Sequence, residues 1–252
     1  TRFIPVDNIY IITSKEYVSL VKDQLPDMNE NNILAEPSRK NTAPCVAFIS
    51  YKLFEKDPES QIIIAPSDHI VMEPEAFQKA ALKGLQFAQH MKALVTLGIK
   101  PTYPNTGYGY IQHETLPVAE QVYQVKTFTE KPNLELAKTF ISSGDFLWNA
   151  GVFMWSSKDL IKAFEMYEPE MSELFIAEKQ HFNTKEENDA LERIYPQCTN
   201  ISIDYAIMEK ANNVYVIPSS FGWSDLGTWN SAYDNLEKDY LGNAVAGDNV
   251  MV

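Results

Sequence analysis

Two cysteines, Cys45 and Cys198, are all that 252 residues carry. That is too few for a disulfide framework. No apolar run approaches the ~18 residues of a membrane span, and no basic-plus-apolar signal segment opens the chain. A reduced, cytoplasmic protein away from membranes is therefore expected. Cations are scarce too. Lys and Arg number 21 against 34 Asp and Glu, a net charge of −13. This argues against nucleic acid as a partner, because phosphate backbones need basic surfaces. A nucleotide is not excluded, since a metal and a few local cations hold phosphates inside an acidic protein. Four scattered histidines make no zinc site. No Gly-rich phosphate loop occurs.

What is present is an alternation of apolar strands and amphipathic helices. Strands are expected at 8–13, 32–35, 61–65 and 93–98, with helices after Ser14, over 41–54 and over 75–90. Gln61-Ile-Ile-Ile-Ala65 does not alternate, which suits a parallel strand covered on both faces. This α/β order predicts a doubly wound, Rossmann-like sheet flanked by helices. The period then changes. Stretches 107–111 and 121–128 alternate as half-buried antiparallel strands do, so the sheet should be mixed. A helix over 134–142, a strand over 151–155, helices through 157–195, a helix from Ser202 to Lys210, a strand over 214–217 and a helix over 227–237 complete the pattern. No linker divides the chain. A single domain over 1–252 is expected. The opening reads as the connection before a second strand.

Two carboxylates stand in equivalent places. Asp68 follows the apolar run 61–65, and Asp225 lies in Gly222-Trp-Ser-Asp-Leu-Gly227 after another. Open α/β sheets bind ligands at the carboxyl ends of strands. Such a pair suits Mg²⁺, which uses one or two carboxylates plus substrate phosphates; the alternative is that each caps a helix. His69 has no nucleophile motif around it and reads as a hydrogen-bonding histidine. Gly107-Tyr-Gly-Tyr-Ile111 lets a ligand approach the backbone, or marks a bulge. Glu130-Lys131-Pro132 offers an acceptor for sugar hydroxyls and a point charge for phosphate, or an exposed ion pair. Asn149 can both donate and accept, as a sugar hydroxyl requires, or is an ordinary turn asparagine. The loop from Glu36 to Pro44 opens a helix whose N-terminus favours anions, and a carboxylate there can pair with the N1–H and exocyclic amine of a guanine.

The order of these motifs is more specific than any one of them. Glu36-Pro with Asn41-Thr-Ala-Pro44, then Pro66-Ser-Asp-His69, Thr106-Gly-Tyr-Gly-Tyr-Ile111, Phe128-Thr-Glu-Lys-Pro132, Trp148-Asn-Ala-Gly151, Ser202-Ile-Asp-Tyr-Ala-Ile-Met-Glu-Lys210 and Gly222-Trp-Ser-Asp-Leu-Gly-Thr-Trp229 together resemble the mannose-1-phosphate guanylyltransferase family. That family makes GDP-mannose and pyrophosphate from GTP and mannose 1-phosphate. The resemblance implies that Asp68 and Asp225 hold Mg²⁺ and that Lys131 binds the sugar phosphate. Glu130 and Asn149 would hold mannose hydroxyls, with Gly109 allowing close approach. Glu36, Asn41 and Thr42 would lie near guanine and ribose. Asp204 occupies a family-like position. Two departures stand out. Lys40 replaces the family's arginine before Asn-Thr-Ala-Pro, and the family's Gly-Gly-x-Gly-x-Arg loop is missing, so the chain as given is expected to have little or no activity. The resemblance also implies a nucleotide-binding part over about 1–105 and a sugar-phosphate-binding part over about 106–235. A homodimer, with aromatics of 148–167 as its interface, is the candidate assembly.

Overall fold

The computed structural model describes residues 3–227 and positions 233, 236, 238, 239 and 242–244. In chain order the elements are β1 (Ile11–Ser14), α1 (Val18–Gln24), β2 (Ile33–Glu36), α2 (Thr42–Lys56), β3 (Gln61–Ile64), β4 (Ile70–Val71), α3 (Pro74–Met91), β5 (Leu94–Ile99), β6 (Tyr110–His113), β7 (Tyr123–Thr129), α4 (Leu134–Ser143), β8 (Phe146–Ser156), α5 (Ser157–Tyr167), α6 (Pro169–Glu178), α7 (Glu187–Ile194), β9 (Val214–Ser219) and β10 (Trp223–Ser224). Short 3-10 turns lie between several of them, and Asp204–Met208 forms a π-helical turn. The helix expected over 227–237 lies largely outside the described residues.

Six strands form the central sheet in the order β3-β8-β5-β9-β7-β6, while β1 and β2 pair parallel to each other. The sheet is mixed and flanked by helices, as the alternation of elements predicts. One detail differs. The run 61–65 is not parallel to a neighbour: β3 pairs antiparallel with β8, Ile62 opposite Trp155, and β8 separates it from β5. An unbroken apolar run reports burial on both faces, not strand direction.

β8 divides the core. Phe153 and Trp155 face one apolar layer with α2, α5 and α6, whereas Val152 and Met154 face a second layer with α3. This is the period-2 alternation of a strand covered on both sides. Trp155 and Met154 are both fully buried. The aromatics proposed as a dimer interface are accounted for here. Trp148, Phe153, Trp155 and Phe164 are at most 5% exposed, so they build the interior instead of an outer surface. Four of the helices are capped or stopped by local chemistry. Asn133 Oδ1 accepts from Leu136 N–H before α4, Ser156 Oγ from Asp159 N–H before α5, and Lys92 ends α3 in a left-handed conformation. Asn41 caps α2, with consequences below. Among the described residues no helix is long and apolar enough to cross a membrane.

Candidate functional site

The two carboxylates meet through an element too short to be seen in the sequence. β4 and β10 pair antiparallel, Ile70 opposite Ser224 and Val71 opposite Trp223. Asp68 lies two residues before this ladder and Asp225 one residue after it, so both emerge at the same end. Gly222 makes the approach feasible. Its φ is +64°, and any Cβ there would overlap Met72. The Asp68 side chain is 83% exposed, with His69 Nε2 at 4.0 Å. Asp225 is half-buried, and its Oδ1 accepts from the Tyr108 hydroxyl at 2.7 Å.

His69 sits between them. Trp223 Nε1–H donates to His69 Nδ1 at 3.1 Å, which leaves the ring proton on Nε2. Burial depresses the His69 pKa, while Asp68 and Asp225 pull it upward. Both acids therefore bear on one neutral imidazole.

Tyr108 and Gly109 connect the carboxylates to the next group. The Tyr108 carbonyl accepts from Lys131 N–H at 3.2 Å, and the Gly109 carbonyl from Asn149 N–H at 2.8 Å. Both glycines of the 107–111 stretch precede β6 instead of lying inside a strand. The space beside Gly109 is filled from within, for a Cβ there would overlap Glu130 Oε2. Glu130 Oε1 pairs with Lys131 Nζ at 3.2 Å; the carboxylate is 14% exposed and the ammonium 63%. Lys131 itself adopts φ +47°, an uncommon conformation for a non-glycine residue.

Asn149 is held from three directions. Its Oδ1 accepts from Gly151 N–H at 3.1 Å and faces Thr96 Oγ1 at 3.2 Å, and its Nδ2 donates to Asp204 Oδ1 at 2.9 Å. One Nδ2 hydrogen remains. Asp204 is the buried acid of this group. Burial first, then the charge of Glu130, pushes its carboxyl up to about 6. Its position in a first helical turn is thus not its whole role, because its carboxylate faces Asn149. Nothing in local periodicity marks Asp204 or Tyr108 as partners of Asn149 and Asp225, residues 55 and 117 positions away.

The third group stands where β2 hands over to α2. Glu36 Oε1 accepts from the Tyr195 hydroxyl at 2.9 Å. Burial raises the Glu36 pKa and the Tyr195 bond opposes that rise. Asn41 Oδ1 accepts from Thr42 N–H at 2.9 Å, with Asn41 at φ +64°. Thr42 Oγ1 accepts from Ile203 N–H at 2.8 Å. Asn41 and Thr42 thus use acceptors to fasten the loop, whereas Glu36 Oε2 accepts no hydrogen bond among the described residues. Arg39 turns away, its guanidinium on the Tyr17 ring and hydroxyl, and Lys40 bears on Cys198, whose thiol its charge pulls downward against burial.

The three groups form one path. Thr42 holds Ile203, the next residue Asp204 holds Asn149, Asn149 holds Gly109, and Tyr108 holds Asp225. Such a line can read a base at one end, hold a polyol in the middle and place hard oxygen ligands at the other. Among the described residues no three His, Cys, Asp or Glu side chains cluster as a metal cage. Asp68 and Asp225, at the same end of the β4–β10 ladder, supply two carboxylates, the donor type that a hard cation combines with water and phosphate oxygens.

The nucleotidyl transferase family model matches residues 3–240. A mannose-1-phosphate guanylyltransferase of Escherichia coli is 34% identical over 248 residues, covering 94% of this chain and 53% of that protein. The alginate biosynthesis protein AlgA of Pseudomonas putida is 32% identical over 257 residues, covering 99% of this chain and 52% of that one. The chain therefore spans about half the length of these relatives. A crystal structure described as mannose-1-phosphate geranyltransferase from Thermus thermophilus superposes with a TM-score of 0.81 at 28% identity, over 92% of this chain and 65% of that one.

Proposed function

The chain belongs to the nucleotidyl transferase family, and from that premise we propose that it forms GDP-mannose and pyrophosphate from GTP and mannose 1-phosphate. The observation that carries this reading is the path from Thr42, in the loop that Glu36 opens, through Asp204, Asn149, Gly109 and Tyr108 to Asp225. The similarity to mannose-1-phosphate guanylyltransferases over nearly the whole chain supports it.

In-line attack of a sugar phosphate on the α-phosphorus asks for positioning and charge neutralisation, with no covalent intermediate on the protein. Lys131 presents an exposed ammonium to the sugar phosphate. Glu130 accepts protons of sugar hydroxyls, and the remaining Asn149 hydrogen is donated to one of them. Glu36 meets the two donors of the guanine edge. Asn41 and Thr42 shape the loop over the ribose, and Gly109, with no side chain, leaves room for the Glu130 carboxylate that meets the sugar. Asp68 and Asp225 would hold Mg²⁺, which neutralises phosphate charge and aligns the reactants when bound.

The test is calorimetric titration with GDP-mannose, with and without Mg²⁺, for the unsubstituted chain and for Asp225→Asn. Mg²⁺-dependent binding that disappears in the variant is expected. Tighter binding of a dTDP- or UDP-sugar would instead assign the chain to a related sugar-1-phosphate nucleotidyltransferase. Absence of binding to any sugar nucleotide by folded protein would overturn the proposal.

A further inference from the structure

Tyr195 is buried completely in the main apolar cluster, in the turn that follows α7. Its ring needs no polar function to be there, but its hydroxyl does: a buried phenol requires a partner. That partner is Glu36 Oε1 at 2.9 Å, 159 residues away in sequence. Glu36 is itself partly desolvated, which disfavours its ionised form, and the phenol bond favours it. The other near group, Cys45, does not compete. Its thiol donates to the Thr42 carbonyl at 3.1 Å, and burial pushes its pKa up to about 12. One rigid donor therefore fixes one carboxylate oxygen from the protein interior. By valence Oε1 has a second acceptor site and Oε2 has two, and among the described residues the Glu36 carboxylate accepts no hydrogen bond besides the phenol's.

We propose that Tyr195 is a positioning residue for base selection, holding Glu36 so that its two oxygens face the N1–H and exocyclic amine of a guanine. This rests on the guanine-nucleotide reading above. A flexible glutamate could satisfy one donor in many poses. A bidentate contact needs the carboxylate plane fixed, and a buried aromatic hydroxyl fixes it with little motion of its own. A purely structural bond would behave differently, because its loss would weaken every ligand alike.

The experiment compares GDP with IDP, which keeps N1–H and lacks the exocyclic amine, by calorimetric titration of the unsubstituted chain, Tyr195→Phe and Glu36→Gln. The unsubstituted chain should prefer GDP. Tyr195→Phe keeps the ring, and its melting temperature is read alongside; it should narrow the GDP:IDP ratio by about tenfold, the value of one hydrogen bond to a charged group. Glu36→Gln should narrow it as well. A narrowed ratio in Glu36→Gln with an unchanged ratio in Tyr195→Phe overturns the role of Tyr195 alone. No GDP preference in the unsubstituted chain, or an unchanged ratio in Glu36→Gln, overturns base reading by Glu36 and this proposal with it. Should Tyr195→Phe fail to fold, Glu36→Asp withdraws the carboxylate from the phenol, and a preserved GDP preference there also overturns the proposal.

Discussion

Replacing Asp204 with asparagine should stabilise the protein, and only at neutral or alkaline pH. The carboxyl is pushed from 3.8 up to about 6, mainly by burial and then by Glu130. A folded pKa above the unfolded one means that the native state binds the proton more readily. The native state is then most favoured when Asp204 is protonated, and it loses stability as pH rises from about 4 to about 6. The shift of roughly two units corresponds to about 3 kcal/mol of ionisation cost above that window. Asp204→Asn removes this cost and keeps an oxygen to accept from Asn149 Nδ2. The new bond is neutral instead of charge-assisted, which forfeits about 1 kcal/mol. A net gain of about 1–2 kcal/mol follows, or a rise of about 2–8 °C in melting temperature for a domain of this size. Melting curves of both proteins near pH 8 and near pH 4 provide the assay, and most of the gain should vanish at the lower pH. A variant less stable near pH 8, or a difference that does not vary with pH, would refute the desolvated-carboxylate account.

Two further substitutions probe the path and the core. Tyr108→Phe keeps the edge contacts of its ring with Trp148 and Trp223 but frees Asp225 Oδ1, so Mg²⁺-dependent affinity for GDP-mannose should fall about tenfold while Mg²⁺-free affinity stays; an unchanged Mg²⁺ effect in titration would count against the brace. Lys52 and Glu187 form an ion pair with side chains only 7% and 14% exposed, so Lys52→Met should strand the glutamate and cost about 3 kcal/mol. Urea melts should show most of that loss recovered in Lys52→Met with Glu187→Leu, and equal losses in single and double variants would show that the pair is not the cause.

Much of this architecture was legible in the chain. Amphipathic periods marked helices over 75–90 and 134–142, within a residue of α3 and α4 at each end, and apolar runs marked β3 and β5, because those signals are local. The order of short motifs pointed to Asp68, Lys131, Asn149 and Asp225 before any of them had a neighbour. What was not legible is pairing across the chain. Periodicity could not show that β8 would insert antiparallel between β3 and β5, nor that two dipeptides, 70–71 and 223–224, would form a ladder. Tyr195 reads as an ordinary core aromatic until Glu36 arrives beside it. Four of the five aromatics of 148–167 misled for the same reason, since composition does not distinguish a surface stripe from a covered strand or helix face; only Tyr167 is half-buried.

The β4–β10 ladder has a consequence for how cation and fold are related. Two rungs close a loop of some 150 residues and bring like charges to the same imidazole. A divalent cation held by both Asp68 and Asp225, as proposed above, would tie the two ends of that closure together. Whatever the ladder gains from the ion, the ion gains from the ladder, since a ligand that binds only the closed form stabilises it by mass action. Cation affinity at this edge and the integrity of a four-residue sheet are then one free energy, approached from opposite directions.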